Sequence, residues 1–250
     1  MTRRLQLPEA IQNKMIPTLN QMGYMTLNLD PYSQEFIRFA SSAPSPVLDI
    51  GCAYGVASLA ALEAGATVVA NDIEADHLTL LRQKTTNETR KRLVLCQGDF
   101  SSREINFLEN SFSAVLICRV LHFFAREKIK KTFKKIYNYL DFNGKLFIVS
   151  DTPYVSLYKN MIQDYETRIR NMEEWPGEFC GNIPQYISGW DVNHPIKTLH
   201  FLDQKVLKRE LEFLGFQVEK VELFPRPDYL PEGQLDGREC IGLIARKIEL

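Results

Sequence analysis

The sequence predicts an α/β protein: a doubly wound, mostly parallel seven-stranded sheet with a C-terminal antiparallel strand and a cap inserted after the fifth strand. Three observations carry that expectation. Short continuous apolar runs alternate with helical patterns from about residue 45 to residue 150, as in strands covered on both faces by crossover helices. The first run ends in a glycine turn, Asp49-Ile50-Gly51-Cys52-Ala53-Tyr54-Gly55, that leads into a helical stretch. The rhythm then breaks for some fifty residues and resumes near Asp203.

The elements follow in order. Residues 46–50 read as the first strand and residues 56–63 as a helix with Ala and Leu spaced to pack. A second strand is expected over 66–70, a helix over about 74–89, a third strand over 93–96 and a fourth over 112–118. Residues 126–140 place Ile129, Phe133, Ile136, Tyr137 and Leu140 on one helical face. Asn143-Gly144 closes that unit, and residues 145–149 are the fifth strand. Residues 153–202 contain Pro153, Pro176, Pro184 and Pro195 and are too long for a plain connection, so they read as a cap, with a helix over 157–172. Asp203 is a good helix N-cap, with Leu207, Leu211 and Leu214 forming the face and Gly215 the stop. Residues 216–223 and 239–245 are the last two strands, joined by a Pro-rich wide hairpin. The whole reads as one domain over 1–250: an N-terminal helical segment (1–44), a core (45–152), the cap (153–202) and a final helix with a strand pair (203–250).

Composition narrows the function. A formal net charge of −1 calls for neither nucleic acid nor an anionic membrane as partner. Five cysteines without a CxxC pair argue against a zinc site and against a disulfide framework. The chain shows no signal peptide and no apolar run of spanning length, so the expected location is the cytoplasm. Monomer and homodimer both stay open. The basic run Lys128 to Lys135 reads as a solvated helix face.

The glycine turn poses the functional question. It meets neither the dinucleotide pattern GxGxxG nor GxxxxGK[ST]. Asp49 stands where a pyrophosphate would be repelled, by about 1 to 4 kcal/mol at 4 Å. A guest without phosphate and with positive charge fits better. Asp72 ends the second strand, at the spacing suited to ribose hydroxyls, and Asp99 ends the third, beside Phe100. A ribose, an adenine and a cationic centre together describe S-adenosylmethionine.

VLDIGCAYG, VVANDIE, CQGDF, SFSAVLICRVLHFF and FNGKLFIVSDTP resemble, in order and spacing, the class I S-adenosylmethionine-dependent methyltransferases, a Rossmann-like family. The resemblance covers residues 46–153 and, with LKRELEFLGFQVEKVE, the end of the chain. It implies that Asp49 orders the cofactor's methionine end, with Gly51, Ala53 and Gly55 shaping the turn. Asp72 takes the ribose, Ile73 covers the adenine, Asp99 holds its amino group and Phe100 caps the ring. Arg119 is expected beside the cofactor's amino-acid end. Ala53 stands where the family more often has glycine.

The residues after the fourth strand bear on the acceptor. ICRVLHFF lacks the [ND]PP[YFW] pattern of amide- and adenine-methylating enzymes and resembles small-molecule methyltransferases. The expected acceptor is therefore a small molecule methylated at oxygen or nitrogen. A protein side chain, or cofactor binding without catalysis, are the alternatives. His122, Tyr154 and His194 are the candidate bases, with His200 and Tyr158 also near the expected cleft. Tyr24, Tyr158 and Trp190 are candidate acceptor contacts, and Trp175, Phe179 and Tyr186 either line a pocket or pack the cap.

Overall fold

A computed structural model describes residues 5–12, 14–181, 183–187 and 194–249. The strands are β1 (Met15–Pro17), β2 (Tyr24–Thr26), β3 (Val47–Ile50), β4 (Val68–Asp72), β5 (Leu93–Gln97), β6 (Phe112–Cys118), β7 (Leu140–Asp151), β8 (Glu178–Cys180), β9 (Thr198–His200), β10 (Phe216–Phe224) and β11 (Cys240–Lys247). The helices are α1 (Pro31–Ala40), α2 (Val56–Glu63), α3 (Ala75–Lys84), α4 (Asn87–Arg90), α5 (Arg126–Tyr139), α6 (Ile162–Arg170) and α7 (Gln204–Phe213).

Seven strands form the central sheet in the order β10-β11-β7-β6-β3-β4-β5. The pairs from β7 to β5 are parallel, whereas β11 runs antiparallel to both β7 and β10. This is the doubly wound sheet with its antiparallel strand at one side.

Side-chain alternation explains why both faces are covered. Leu48 and Ile50 of β3, Val115 and Ile117 of β6, and Leu146 and Ile148 of β7 share one core with Ile129, Phe133 and Ile136 of α5 and Leu207 and Leu211 of α7. Their neighbours Val47, Ala114, Leu116, Phe147 and Val149 point the other way, into a core with Phe36 of α1, Leu62 of α2 and Leu81 of α3.

Several expectations need correction. The first 44 residues are not simply helical, because β1 and β2 form an antiparallel pair before α1 begins. The helix expected over 74–89 breaks after Lys84. Thr85 is extended, its hydroxyl donates to the Arg82 carbonyl, and Thr86 starts α4 with a capping box to Thr89. Asn143-Gly144 does not end the preceding unit but lies inside a longer β7, where Asn143 takes a φ of +64°. The cap helix begins as a 3-10 segment (Ser156–Met161) before α6. Asp203 caps α7 as expected, accepting the N–H of Val206 at 2.7 Å. Among the described residues, no helix is long and apolar enough to cross a membrane.

The order places β3 at the centre, with the chain winding outward to β5 and then returning to β6 on β3's other side. The loops after β3 and β6 diverge there, and open α/β sheets bind their ligands at that crevice.

Candidate active site

A cavity of about 330 Å³ lies at the carboxyl ends of β3, β4, β5, β6 and β7. Its first half is built on the glycine turn. Gly51 has a φ of +69°, and a Cβ there would stand 2.3 Å from Val120 Cγ2, so the turn and the loop after β6 touch only because Gly51 lacks a side chain. Ala53 also takes a positive φ, +45°, which costs an L-residue roughly 1 to 2 kcal/mol. The Ala53 N–H donates to Asp72 Oδ2 at 2.8 Å, and that bond holds the conformation.

Asp49 is buried beneath the turn and accepts the Ser58 hydroxyl at 2.6 Å. Burial pushes its carboxyl up to about 6; the Ser58 bond opposes this and the charge of Asp72 adds to it. Asp72 is 5% exposed, and its Oδ1 accepts the Glu74 N–H at 2.8 Å. His77 Nδ1 lies 3.1 Å from the same oxygen, and His77 Nε2 accepts the Leu19 N–H at 3.0 Å. Because Nε2 is the acceptor, the proton of the neutral ring sits on Nδ1 and points at Asp72. The N-terminal arm is thereby tied to the acid that ends β4.

Asp99 Oδ1 accepts from Ser101, and its Oδ2 meets Lys128 Nζ at 2.9 Å. Burial opposes the charge of Asp99, but the Lys128 and Ser101 hydrogen bonds outweigh it and hold the carboxyl below its ordinary range. Phe100 is buried edge-on against Tyr139, and Ile73 stays half-exposed at the rim. The basic run on α5 is not simply a solvated face. Lys135 Nζ donates to the carbonyls of Phe100, Ser102 and Ile105 and so clamps the loop after β5.

The second half is charged. Arg119 follows β6, and its Nη1 donates to Thr26 Oγ1 at 3.2 Å. Its guanidinium stands 3.9 Å from Asp30, 3.9 Å from Asp151 and 3.8 Å from Asp228. Arg226 is 3% exposed, donates to Asp151 Oδ1 at 3.2 Å and lies 3.7 Å from Asp228 Oδ2. Arg226, Asp228 and Tyr229 come from the loop between β10 and β11. Glu239 anchors that loop, its Oε1 accepting the N–H groups of Leu235, Asp236 and Gly237 and its Oε2 that of Arg226.

His122 lies in the same wall, 4% exposed. Burial drives its pKa below the ordinary 6.5; Asp151 opposes this, and Arg226 and Arg119 add to the fall. Its ring is therefore neutral at neutral pH, and Nδ1 has no hydrogen-bond partner among the described residues.

Two carboxylates at a phosphate-free glycine turn, a third at the end of β5 and an apolar floor suit a cationic nucleoside. The comparisons agree. A family model described as a methyltransferase domain matches residues 47–144. That stretch, residues 47–144, carries a methyltransferase domain. A cypemycin N-terminal methyltransferase from a Streptomyces species is 38% identical over 85 residues, a match that spans 34% of this chain and only about a third (32%) of that relative. An S-adenosylmethionine-dependent methyltransferase from Methanosarcina mazei shares the fold with a TM-score of 0.64 at 18% identity, covering 89% of this chain and 100% of that one. The glycopeptide N-methyltransferase MtfA, solved with S-adenosylmethionine, follows at a TM-score of 0.56 and 16% identity, covering 86% and 92%. S-adenosylmethionine is the cofactor of this domain family.

The methyltransferase cavity brings together Asp49, Gly51, Ala53, Asp72, Ile73, Asp99, Phe100, Arg119, His122, Tyr24 and Tyr158. Gly55 stands just outside it, at a φ of +76°, where a Cβ would meet Leu81 Cδ1 at 2.3 Å; its role is to let α2 pack. Arg119, expected beside the cofactor's amino-acid end, lines the cavity and faces three carboxylates, Asp30, Asp151 and Asp228. Tyr154 is not brought to the cavity wall. It packs on Tyr165 under Arg238, with its hydroxyl 3.4 Å from Glu166. His194 is also off the wall, its Nδ1 accepting the Ile196 N–H. His200 is buried against Trp175, its Nδ1 3.1 Å from the Phe124 carbonyl, and burial lowers its pKa to about 4. Trp190 lies outside the described residues. Trp175 packs into the α5/α7 core, while Phe179 and Tyr186 pack within the cap, so none of the three lines the cavity. Asp30, Asp151, Arg226, Asp228, Tyr229, His77 and Lys128 were not legible as site residues. Their one shared signal is a charged or aromatic residue beside a strand end or in a Pro-containing loop, too common to single them out.

Proposed function

We propose that this chain transfers the methyl group of S-adenosylmethionine to an amine nitrogen of an acceptor held in the charged half of the cavity. The observation that carries this reading is the neutral His122 imidazole, its Nδ1 without a partner among the described residues, in a wall whose two guanidiniums, Arg119 and Arg226, meet three carboxylates: Asp30 and Asp151, which line the cavity, and Asp228, which does not. That balance leaves one negative charge in excess. It favours an incoming ammonium and disfavours a phenolate or carboxylate acceptor.

The roles divide accordingly. Asp49 and the turn from Gly51 to Ala53 receive the cofactor's methionine end, Asp72 its ribose hydroxyls and Asp99 its adenine, with Phe100 and Ile73 along the ring. When bound, the cofactor supplies an electrophilic methyl group on a positively charged sulfur. Asp151 draws the acceptor ammonium into place, and His122 takes its proton so that the nitrogen lone pair is free. Tyr158 and Tyr229 close the site from water.

A small-molecule amine is the first acceptor class. A peptide amine is the second, favoured by the names of the Streptomyces relative, a cypemycin N-terminal methyltransferase, and of MtfA, a glycopeptide N-methyltransferase. The test is incubation with methyl-labelled cofactor and separate panels of small amines, phenols and peptides, with the products resolved by mass. Label in amines or peptide amines supports the reading; label confined to hydroxyl products overturns it.

A further inference from the structure

The charged half of the cavity has more hydrogen-bonding capacity than its own residues use. Arg119 Nε and Nη2 and Arg226 Nε are buried donors without a partner among the described residues. His122 Nδ1 in the wall, and Asp228 Oδ2 behind the two guanidiniums and outside the cavity lining, are buried in the same condition, and Nδ1 is an acceptor in the tautomer that carries its proton on Nε2. The ion-pair separations of 3.7 to 3.9 Å between these arginines and Asp151 or Asp228 are longer than hydrogen bonds. Each unpaired buried polar group carries a desolvation cost that a fitting ligand removes. A lone ammonium answers only acceptors. It leaves three donor atoms on two guanidiniums unanswered, and it meets two positive charges beside its target.

Those donors need oxygen. The two arginines come from separate elements, the loop after β6 and the loop between β10 and β11, and both contact Asp151 and Asp228. Donor and acceptor sites therefore interleave within one small cluster. A ligand that satisfies both must carry an amine and an oxygen acceptor a bond or two apart.

We infer that the acceptor is an α-amino acyl group, an amine whose neighbouring carbon bears a carbonyl or carboxylate, with the nitrogen at Asp151 and His122 and the oxygen at Arg119 and Arg226. This rests on the N-methylation reading above and names its substrate class. A free amino acid and a peptide N-terminus share this chemistry. Arg119 and Arg226 are then the residues that reject simple amines, because such amines leave the guanidinium donors unpaired.

The test is calorimetric titration of the intact chain, preloaded with S-adenosylhomocysteine, with alaninamide, alanine, alanylalanine and isopropylamine. Isopropylamine keeps the branched amine and lacks the oxygen. The inference expects at least one of the three oxygen-bearing probes to bind tenfold or more tightly than isopropylamine. Alanine as the best probe assigns the free amino acid, and alanylalanine the peptide terminus. Arg226→Gln should reduce that probe to the affinity of isopropylamine and leave S-adenosylhomocysteine binding unchanged. Equal binding of isopropylamine, or no binding of any probe, overturns the inference, and the wild-type comparison decides this even if Arg226→Gln does not fold. Weaker S-adenosylhomocysteine binding in Arg226→Gln also overturns it, by assigning the arginines to the cofactor. Methyl transfer to simple amines as efficient as to alaninamide refutes the α-amino acyl class while N-methylation stands. Methyl transfer to hydroxyls alone removes both.

Discussion

Asp49 offers a prediction in which stability and function pull apart. Its carboxyl is 4% exposed, and burial raises its pKa from 3.8 to about 6. Above that pH the folded chain holds a buried charge it would rather not carry. The cost is about two pKa units, on the order of 3 kcal/mol. The folded state binds the proton more tightly than the unfolded chain does. Stability from this group is therefore full below about pH 3.8 and is lost as the pH rises through about 6. Asp49→Asn keeps the shape and can still accept the Ser58 hydroxyl, but it removes the charge. At pH 8 the variant should be more stable by about 3 kcal/mol, which raises the melting temperature by about 6 to 12 °C in a chain of this size. At pH 5 the wild-type carboxyl is mostly protonated, and the advantage should shrink to about half. The assay is thermal melting of both proteins at the two pH values. The same variant should bind S-adenosylmethionine more weakly at pH 8, since it removes the charge proposed to meet the cofactor's cationic end. A variant no more stable at pH 8 than wild type, or an advantage that grows toward pH 5, would refute the reasoning.

Three further outcomes are expected. Asp72→Ala removes the acceptor of two backbone N–H groups and the proposed ribose ligand, so S-adenosylmethionine affinity measured by calorimetry should fall by about 1.5 to 3 kcal/mol, roughly 10- to 150-fold. His122→Asn should lower kcat about a hundredfold or more with cofactor affinity unchanged; in the wild type the acid limb of the pH–rate profile should lie below 6.5, because burial keeps the imidazole neutral above it. Glu239→Ala releases the four backbone N–H groups that anchor the loop carrying Arg226 and Asp228, so acceptor KM should rise while the dissociation constant of S-adenosylhomocysteine stays the same.

The sequence exposed what depends on local periodicity and on strand ends. The helix over 56–63 and the strand over 112–118 have the same bounds in the structure, because their apolar patterns are unbroken. Asp49, Asp72 and Asp99 could be placed at the cavity because each lies at or near the carboxyl end of a strand, where open α/β sheets bind their ligands. The charged half was not legible, because it is assembled from four distant segments. Asp30 caps α1, Arg119 follows β6, Asp151 ends β7, and Arg226 and Asp228 come from a loop with no regular pattern. Only the tertiary fold juxtaposes them. Trp175 and Phe179 show the converse: large aromatics in a proline-rich insertion suggest a pocket, yet the cap spends them on its own packing and its seat against α5 and α7. His77 was hidden among the polar residues of an ordinary helix, and its link to Leu19 appears only once the N-terminal arm is in place.

The measurement that bears most directly on the account is calorimetric titration of the purified chain with S-adenosylmethionine and, separately, with S-adenosylhomocysteine. Micromolar binding of both, one molecule per chain, is the predicted result. A folded chain that binds neither would contradict the assignment of the glycine turn and its three carboxylates to the cofactor.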